Sequence, residues 1–418
     1  MFMLSALGDN VSTAGYGIAR RLLSLDAGYA GPAALARGKR GTAVSDKSHS
    51  GGRDRFDGTT RVRSEATGFF RVEEIGGRWW FITPDGHGFL SVGVNHIDSA
   101  CLKYPDNVHI WNGRYGDERS FCENGVRNDL QNWGFNTVGW SQEVHVRQRT
   151  HTPPWRHDQY RWVGMPYCHA IPFTEIEMWN RYPRFPDVFS DDFEQWCDLQ
   201  ARYCCVDMAA DPWLIGYFYA DVPSWGRNSN SGVKGWAEMF DMNSASGRAE
   251  LGKISARYYQ VTHDAIRRYD PNHLILGDRY NGQGPLPEVV LEAMIPAVDV
   301  LSIQHFPPIE RFVALSSEWH RRTGKPVVNA DVAFHVRALG RDHPHGITTQ
   351  RERGQKYARW AGECFAEPHM IGWHWCGYIE NECRQAGLKD RFDEPQTEAL
   401  DLITEFNHQL YDRVAGSA

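Results

Sequence analysis

The feature that most constrains the fold is an eightfold alternation of short apolar segments with helical patterns from residue 89 onward. Segments that are apolar throughout are typical of parallel strands that helices cover on both faces. No glycine-rich phosphate-binding motif follows a strand, which argues against a nucleotide-binding sheet. The pattern therefore predicts an α/β fold, a (β/α)8 TIM barrel. The predicted strands are Phe89–Asn95, Asn136–Trp140, Met165–Ile171, Leu214–Tyr219, His273–Gly277, Val298–Ile303, Pro326–Asn329 and Met370–Trp375.

Several of the intervening helices carry boundary signals. Ser190 precedes Asp191 and Asp192, which predicts a capped helix start with acids at the positive end of the helix dipole. Apolar residues from Ile254 to Tyr269 recur at helical spacing, and Asp270-Pro271-Asn272 ends that helix. A final helix begins at Thr397. Its apolar face carries Leu400, Ile403, Phe406 and Leu410.

The first part of the chain differs from the rest. Residues 30–63 are rich in Gly, Ala, Ser, Arg and Lys, so they bury too little apolar surface to offset the entropy of ordering the chain. We therefore divide the chain into a flexible or loosely docked leader, residues 1–66, and a barrel domain, residues 67–418. Residues 69–74 and 78–83 flank Gly76-Gly77 and predict an N-terminal β-hairpin.

Composition excludes several classes of protein. The net charge is −7 and no long Lys/Arg run occurs, so no nucleic-acid partner is expected. No stretch of about 18 apolar residues occurs, so no membrane span is expected. The apolar start lacks the basic region and cleavage site of a secretory signal. Nine cysteines at irregular spacing favour reduced thiols, and hence a cytoplasmic protein.

Candidate functional residues lie where the predicted strands end, because a barrel of this kind carries its chemistry on the C-terminal ends of its strands. Carboxylates can move protons or act as nucleophiles, aromatic rings stack on sugar faces, and Asn, Arg and His bind hydroxyls. The sequence thus predicts a carbohydrate site with an oligosaccharide as partner. Its candidates are Asn95, His96, Trp140, Glu143, Glu175, Asp221, Trp225, Asp278, Arg279, His305, Asp331, Trp373, Trp375 and Glu380.

No cofactor and no metal are expected at this site. The one weak metal signal is a His-x-His pair, His343 and His345, in the long loop after the seventh strand. A second long loop, residues 222–247, is rich in Gly, Ser and Asn and suits a cover over the site. Association into a homo-oligomer is left open.

Residues 68–412 resemble the agarase-like branch of the clan A glycoside hydrolases. The resemblance rests on the order of several short segments rather than on any one of them. The segments are GRWWFITPDG (77–86), SVGVNH (91–96), FPDVF (185–189), LIGYF (214–218), YDPNH (269–273), GDRY (277–280) and GWHW (372–375).

The resemblance implies a (β/α)8 barrel that cleaves glycosidic bonds. Members of the clan place Asn-Glu at the end of strand four, where Glu is the acid/base, and a nucleophilic Glu at the end of strand seven. In this chain Asp221 stands at the Asn position, Val222 at the acid/base position and Asp331 at the nucleophile position. A valine cannot transfer a proton, so the ordinary retaining machinery is incomplete.

Three interpretations follow from this departure. Asp221 and Asp331 can form a rebuilt pair, whose shorter side chains widen the gap toward the ~6.5–9.5 Å of inverting enzymes. Alternatively, the acid comes from another loop, with Glu143, Glu175 and Glu380 as candidates. In the third, the catalytic apparatus is lost and the barrel only binds sugar.

The leading hypothesis for function is an exo-acting glycoside hydrolase. Asp331 is its nucleophile or water-activating base, and Asp221 or a neighbouring Glu is its acid. The alternatives are a uronate-specific lyase, with Tyr219, Tyr280 or His305 as base and Arg279 neutralising the substrate, and a non-catalytic carbohydrate-binding barrel.

Overall fold

The computed structural model describes residues 52–142, 154–178, 184–226, 234–282, 286–304, 308–336, 347–380 and 385–415. No helix in these residues is long and apolar enough to cross a membrane. Eight of the cysteines fall within them, and all eight are buried.

A four-stranded antiparallel sheet precedes the barrel, in the order β1-β4-β3-β2. The predicted hairpin is confirmed, because β2 and β3 pair from Arg71 opposite Ile82 to Ile75 opposite Arg78. Gly76 and Gly77 form its turn with φ of +63° and +76°, which glycine adopts without strain. The strands are β1 (Thr59–Arg63), β2 (Arg71–Ile75), β3 (Arg78–Ile82) and β4 (His87–Phe89).

Residues 52–66, which the sequence assigned to the leader, include β1 of this sheet. Asp54 accepts hydrogen bonds from Thr83 Oγ1 at 2.5 Å and pairs with His87 Nδ1 at 2.9 Å. Phe56 is fully buried, with its ring 4.6 Å from that of Trp213. A buried aromatic ring and a buried carboxylate therefore order a segment whose composition predicted flexibility.

Eight parallel strands form the predicted closed barrel, in which β12 pairs with β5. Each predicted strand overlaps one of them. Five strands, β8 to β12, run one to four residues past their predicted ends, because residues at those ends are still paired with neighbouring strands. The strands are β5 (Ser91–Asn95), β6 (Thr137–Val138), β7 (Tyr167–Ala170), β8 (Leu214–Asp221), β9 (Leu274–Asn281), β10 (Leu301–Gln304), β11 (Val327–Val332) and β12 (Met370–Cys376).

Helices surround the barrel. The predicted cap is present, since Ser190 Oγ accepts a hydrogen bond from Phe193 N at 3.2 Å. The α-helices are α1 (Val108–Arg114), α2 (Glu118–Ser120), α3 (Arg127–Asn132), α4 (His157–Val163), α5 (Asp191–Cys205), α6 (Ala245–Tyr269), α7 (Glu288–Met294), α8 (Ile309–Thr323), α9 (Gln350–Ala366) and α10 (Thr397–Ala415). Shorter turns of other helix types are Ala100–Lys103, Phe121–Val126, Trp236–Met239 and Ile295–Ala297.

Candidate active site

A bulge at the end of β8 determines where Asp221 points. Phe218 lies opposite Gly277 but Asp221 lies opposite Arg279, so β8 uses one residue more than β9 over this stretch. Side chains alternate between the two faces of a strand, and Tyr219 contacts the rings of α6 outside the barrel. Without the extra residue Asp221 would follow Tyr219 outward. The bulge instead turns its carboxylate toward Arg279.

Arg279 joins the two candidate aspartates in one cluster. Its Nη1 lies 2.8 Å from Asp221 Oδ1 and its Nη2 lies 3.3 Å from Asp331 Oδ2. Arg279 is fully buried, and the two aspartates are 7% and 4% exposed. A single guanidinium group therefore contacts the acids of both the fourth and the seventh barrel strands, at the C-terminal end of the barrel.

Amide groups fix both carboxylates. Asn95 Nδ2 donates to Asp331 Oδ1 at 3.1 Å, and Gln304 Nε2 donates to Asp221 Oδ1. The Arg279 guanidinium also lies over the ring of Trp140, 4.6 Å from its centroid. These contacts hold the acids rigidly before any ligand arrives, as a preorganised site requires.

His96 approaches the same cluster from the end of β5. Its Nδ1 lies 2.7 Å from the Gln142 carbonyl oxygen, so Nδ1 donates there and Nε2 faces Asp331 Oδ2 at 3.8 Å. The residue has a φ of +51°, a conformation that costs energy outside glycine. Strain of this kind concentrates at functional sites.

One positive charge serves two carboxylates, so the cluster of Asp221, Arg279 and Asp331 carries a net negative charge when both acids are ionised. A positively charged transition state beside it would be stabilised, because charges interact strongly where water is excluded. The transition state of glycoside cleavage has oxocarbenium character and is positive at the sugar ring. The net negative charge of the cluster thus suits the glycoside cleavage that the sequence predicted.

A cavity of about 920 Å³ opens beside the cluster. Such a volume accommodates a ligand of a few sugar rings. Asp221 and Trp140 line it, and the segment after β7 forms much of its wall, whereas Arg279 and Asp331 are not among its lining residues. Its other lining residues are Gln142, Pro154, Ala170, Ile171, Pro172, Phe173, Thr174, Glu175, Glu177, Arg184, Phe185, Pro186, Asp187, Ser190, Asp192, Phe193, Trp196, Tyr219 and Ala220.

Glu177 follows β7 together with Glu175, but only Glu175 was selected as a candidate from the sequence. Burial, together with the negative charge of Asp221, raises the pKa of the Glu177 carboxyl group to about 8. A carboxylic acid that keeps its proton near neutral pH is a suitable proton donor. No sequence pattern marked Glu177 above Glu175, since both follow β7 at similar distance.

Backbone pairing places Glu177 next to the strained position 222. Met178 N donates to the Val222 carbonyl oxygen at 2.9 Å, and Ser224 N donates to the Ile176 carbonyl oxygen at 2.7 Å. The segment after β7 therefore pairs with the segment that follows Asp221. Val222 itself has a φ of +35°, which is unfavourable for a β-branched residue.

Glu175, the catalytic candidate that the sequence predicted in the same segment, lies elsewhere in the cavity. It is exposed and forms an ion pair with Arg184, whose Nε is 3.4 Å from its Oε2. Such exposed pairs contribute little energy. Glu175 lines the cavity and can contact a ligand, but its side chain is exposed whereas that of Glu177 is half-buried.

Asp278 and Arg279, taken together as a binding pair from the sequence, point to opposite faces of β9. Asp278 accepts hydrogen bonds from Trp225 Nε1, Tyr258 and Tyr259 at 2.7 to 3.2 Å, and it is fully buried against α6. Burial raises its pKa to about 6 although those donors oppose the shift. Asp278 does not line the cavity, so its assignment as a sugar ligand is not supported by its position.

Three tryptophans predicted to contact sugar are packing residues in this structure. Trp225 is 1% exposed and stacks on Trp236 with centroids 4.9 Å apart. Trp373 and Trp375 are fully buried, and both lie against Tyr357 of α9. Alternation along β12 turns these two rings outward to the helices, whereas His374 between them contacts Ser91 at 2.8 Å.

Replacing Trp225 by phenylalanine is expected to lower the free energy of unfolding by about 2 kcal/mol, because it removes volume from the core and a hydrogen bond to the Asp278 carboxylate. Urea unfolding followed by circular dichroism measures this loss. A weaker affinity for sugar at unchanged stability would instead show that the ring contacts ligand.

Of the remaining candidates, only Glu380 lies within the described residues. Glu380 pairs with the buried Arg353 at 3.5 Å, and burial raises its pKa. It does not line the cavity. Glu143 and His305 lie outside the described residues, so their assignments stay predictions.

Among the residues that the structure describes, one group of side chains has the composition of a metal site. Ligand atoms of His96, Asp331 and Cys376 lie within 4.8 Å of one another. However, the Asp331 oxygen that faces His96 also faces Arg279 at 3.3 Å. A guanidinium at that distance repels a cation and already supplies the countercharge, so this arrangement favours an ion-pair network. The loop that holds His343 and His345 lies outside the described residues.

The fold and the cluster at its C-terminal end define the chain as a (β/α)8-barrel protein with a preceding antiparallel sheet. No family model matches the chain. In sequence it is similar to β-agarase B of Vibrio sp. (strain JT0107), with 20% identity over 83% of this chain and 49% of the relative. A shorter stretch, 38% of the chain, is 27% identical to β-agarase A of the same strain and covers 17% of it.

Solved structures extend the similarity to the fold. The agarase AgWH50C superimposes with a TM-score of 0.70 at 20% identity, over 87% of this chain and 66% of that one. An exo-β-agarase gives a TM-score of 0.68 at 19% identity, over 87% and 68%. The predicted resemblance to agarase-like barrels is thus confirmed. This chain spans about half the length of β-agarase B.

Proposed function

We propose that this protein is a glycoside hydrolase that acts on oligosaccharides of the agarose type. The observation that carries the proposal is the Asp221–Arg279–Asp331 cluster beside a cavity that Glu177 also lines, an acid whose pKa burial raises to about 8. The similarity to β-agarases supports both the reaction and the class of sugar. We further propose exo-action, in which the cavity receives one chain end.

In the proposed mechanism Glu177 is the general acid, because Val222 occupies the usual acid/base position and cannot transfer a proton. It donates its proton to the glycosidic oxygen as that bond breaks. Asp331, held by Asn95 and Arg279, activates the attacking water from the other side. Because aspartate is one methylene shorter than the glutamate expected at its position, it leaves more room for that water, as in inverting enzymes.

Asp221 has a positioning and electrostatic role in this proposal. It lines the cavity, pairs with Arg279 and adds its charge beside Glu177, which favours the protonated form of that acid. One acid thus keeps its proton while the others stay paired with a cation. Environments that separate the pKa values of neighbouring carboxyl groups are the usual basis of acid and base roles.

Replacing Glu177 by glutamine is expected to lower kcat by about 10²–10⁴-fold, the usual contribution of a general acid. The proton is present below the pKa of about 8 and lost above it, so wild-type activity should fall as the pH rises through 8. In the variant that alkaline decline should disappear. Initial rates on an agarose oligosaccharide between pH 5 and 10 provide the measurement.

The matched control is Glu175→Gln, which removes an exposed carboxylate from the same segment. It should retain the alkaline decline near pH 8 whatever its effect on KM. An unchanged pH profile in Glu177→Gln would contradict the assignment of the acid. Absence of released sugar from the wild-type enzyme would instead favour a barrel that only binds carbohydrate.

The lyase alternative receives no support from the tyrosines named for it. Tyr219 donates to the Ala297 carbonyl oxygen at 2.6 Å and Tyr280 lies 2.7 Å from Tyr259 Oη, both in the layer outside the barrel. Burial raises the pKa of both phenols well above 10, so neither readily becomes a base. Near-ultraviolet absorbance of the product separates the reactions, since only a lyase creates a new double bond.

A further inference from the structure

Helix α5 exposes an apolar stripe on its outer side. The exposed fractions are 46% for Trp196, 44% for Leu199, 79% for Tyr203 and 56% for Val206, the residue that follows the helix. Positions separated by three, seven and ten residues lie on one side of a helix, since the period is 3.6 residues. The four side chains therefore form one continuous stripe, which we call the α5 stripe.

The α5 stripe begins in the wall of the cavity. Trp196 lines the cavity and also belongs to the stripe, and Asp192, one turn earlier on the same side, lines it too. Trp196 Nε1 donates to the Phe173 carbonyl oxygen at 2.9 Å, which fixes the ring at the cavity mouth. A ligand that fills the cavity can therefore continue along the helix without leaving apolar contact.

The spacing and type of the two rings favour a sugar chain. Trp196 and Tyr203 are two helical turns apart, about 10 Å along the axis, which is about the length of two sugar units in an extended chain. Flat rings with a polar edge stack on sugar faces and still tolerate water. Four side chains on one helix are too few for a stable protein interface, which buries about 800 Å² on each partner.

We propose that the α5 stripe is a binding track for the part of an agarose chain that extends beyond the cavity. This inference rests on the proposed function and adds to it a second binding region, distinct from the cluster of acids. It implies that the enzyme distinguishes polymer from short oligosaccharide by contacts outside the cavity, with Trp196 nearest to the cavity and Tyr203 farther along.

Replacing Tyr203 by alanine tests the proposal. The KM for soluble agarose polymer should rise about fivefold or more, as expected when one ring contact of this size is lost. The rise should be clearly smaller for an agarose tetrasaccharide, which is too short to fill the cavity and also reach Tyr203. Retardation of the folded protein in native gels that contain agarose should weaken in parallel.

The control is Phe392→Ala, which removes another exposed ring, 43% exposed, remote in sequence from α5 and absent from the cavity lining. It should leave both KM values and the gel retardation unchanged. Equal KM values for polymer in Tyr203→Ala and wild type would overturn the track. A shift of the sedimentation coefficient in Tyr203→Ala alone would overturn it too, because the stripe would then be a contact between copies of the chain.

The proposed function and the track fail in different ways. If the wild-type protein releases no sugar from tetrasaccharide or polymer, the hydrolase proposal fails, yet retardation in agarose gels still reports on the track. If wild type hydrolyses both substrates and Tyr203→Ala raises the KM for polymer no more than the KM for tetrasaccharide, the track fails and the hydrolase proposal stands.

Discussion

Replacing Asp331 by asparagine is expected to reduce turnover by roughly a thousandfold or more while sugar binding persists, since the proposed mechanism then lacks the group that activates water. Asparagine has nearly the same shape, and Arg279 keeps its partner Asp221 at 2.8 Å. The folded structure should therefore survive. Steady-state rates and calorimetric titration with an agarose oligosaccharide measure the two properties separately.

A suitable control is Asp264→Asn, which neutralises an exposed aspartate of α6 that pairs only with its neighbour His263 among the described ion pairs. This variant should keep wild-type turnover. Turnover in Asp331→Asn within a few fold of wild type would remove Asp331 from the mechanism. Loss of binding together with turnover would point to a damaged site rather than a missing catalytic group.

Replacing Arg279 by methionine is expected to lower the free energy of unfolding by about 3–5 kcal/mol, because it leaves two buried carboxylates without their shared counterion. Asp221 and Asp331 are 7% and 4% exposed, so water compensates little of that loss. Activity should fall as well, since both carboxylates lose the group that positions them. Urea unfolding at pH 7 gives the free energy.

Two further variants test the cause of this loss. In Arg279→Met combined with Asp221→Asn, one uncompensated charge is removed, so part of the stability should return, by about 1 kcal/mol or more. Arg311→Met, on the exposed surface of α8, should change the stability by less than about 0.5 kcal/mol. If the double variant is less stable than Arg279→Met, charge compensation is not the reason for the burial of Arg279.

The barrel could be predicted from the sequence because its signal is local. A strand covered on both faces needs apolar residues throughout, as in Leu214–Tyr219, and a helix reveals itself by its period and its caps, as at Ser190. The limit of the same signal is visible at residues 52–66. Their composition predicted flexibility, yet Phe56 and Asp54 are ordered by partners far along the chain.

The site was predictable in part. The positions of Asp221 and Asp331 followed from strand order, because parallel strands of a barrel end on one rim. The face of each side chain did not, since one residue along a strand exchanges inside for outside. Asp278 and Arg279 are neighbours in sequence, yet their side chains lie on opposite faces of β9. In the same way, Trp373 and Trp375 lie on the face of β12 that points away from the barrel interior.

By itself, the sequence determined the architecture of this protein and the rim that carries its acids, because the hydrophobic period and the order of the strands can be read directly from the residues. Only the tertiary structure decided which acids lie together and which one has its pKa raised by burial. The bulge in β8 brings Asp221 to Arg279, and the pairing of the segments beyond β7 and β8 half-buries Glu177. The bulge and the pairing of these segments both depend on contacts between residues that are distant in sequence. Those contacts, rather than the neighbouring residues in sequence, determine how buried a side chain is and which charges surround it.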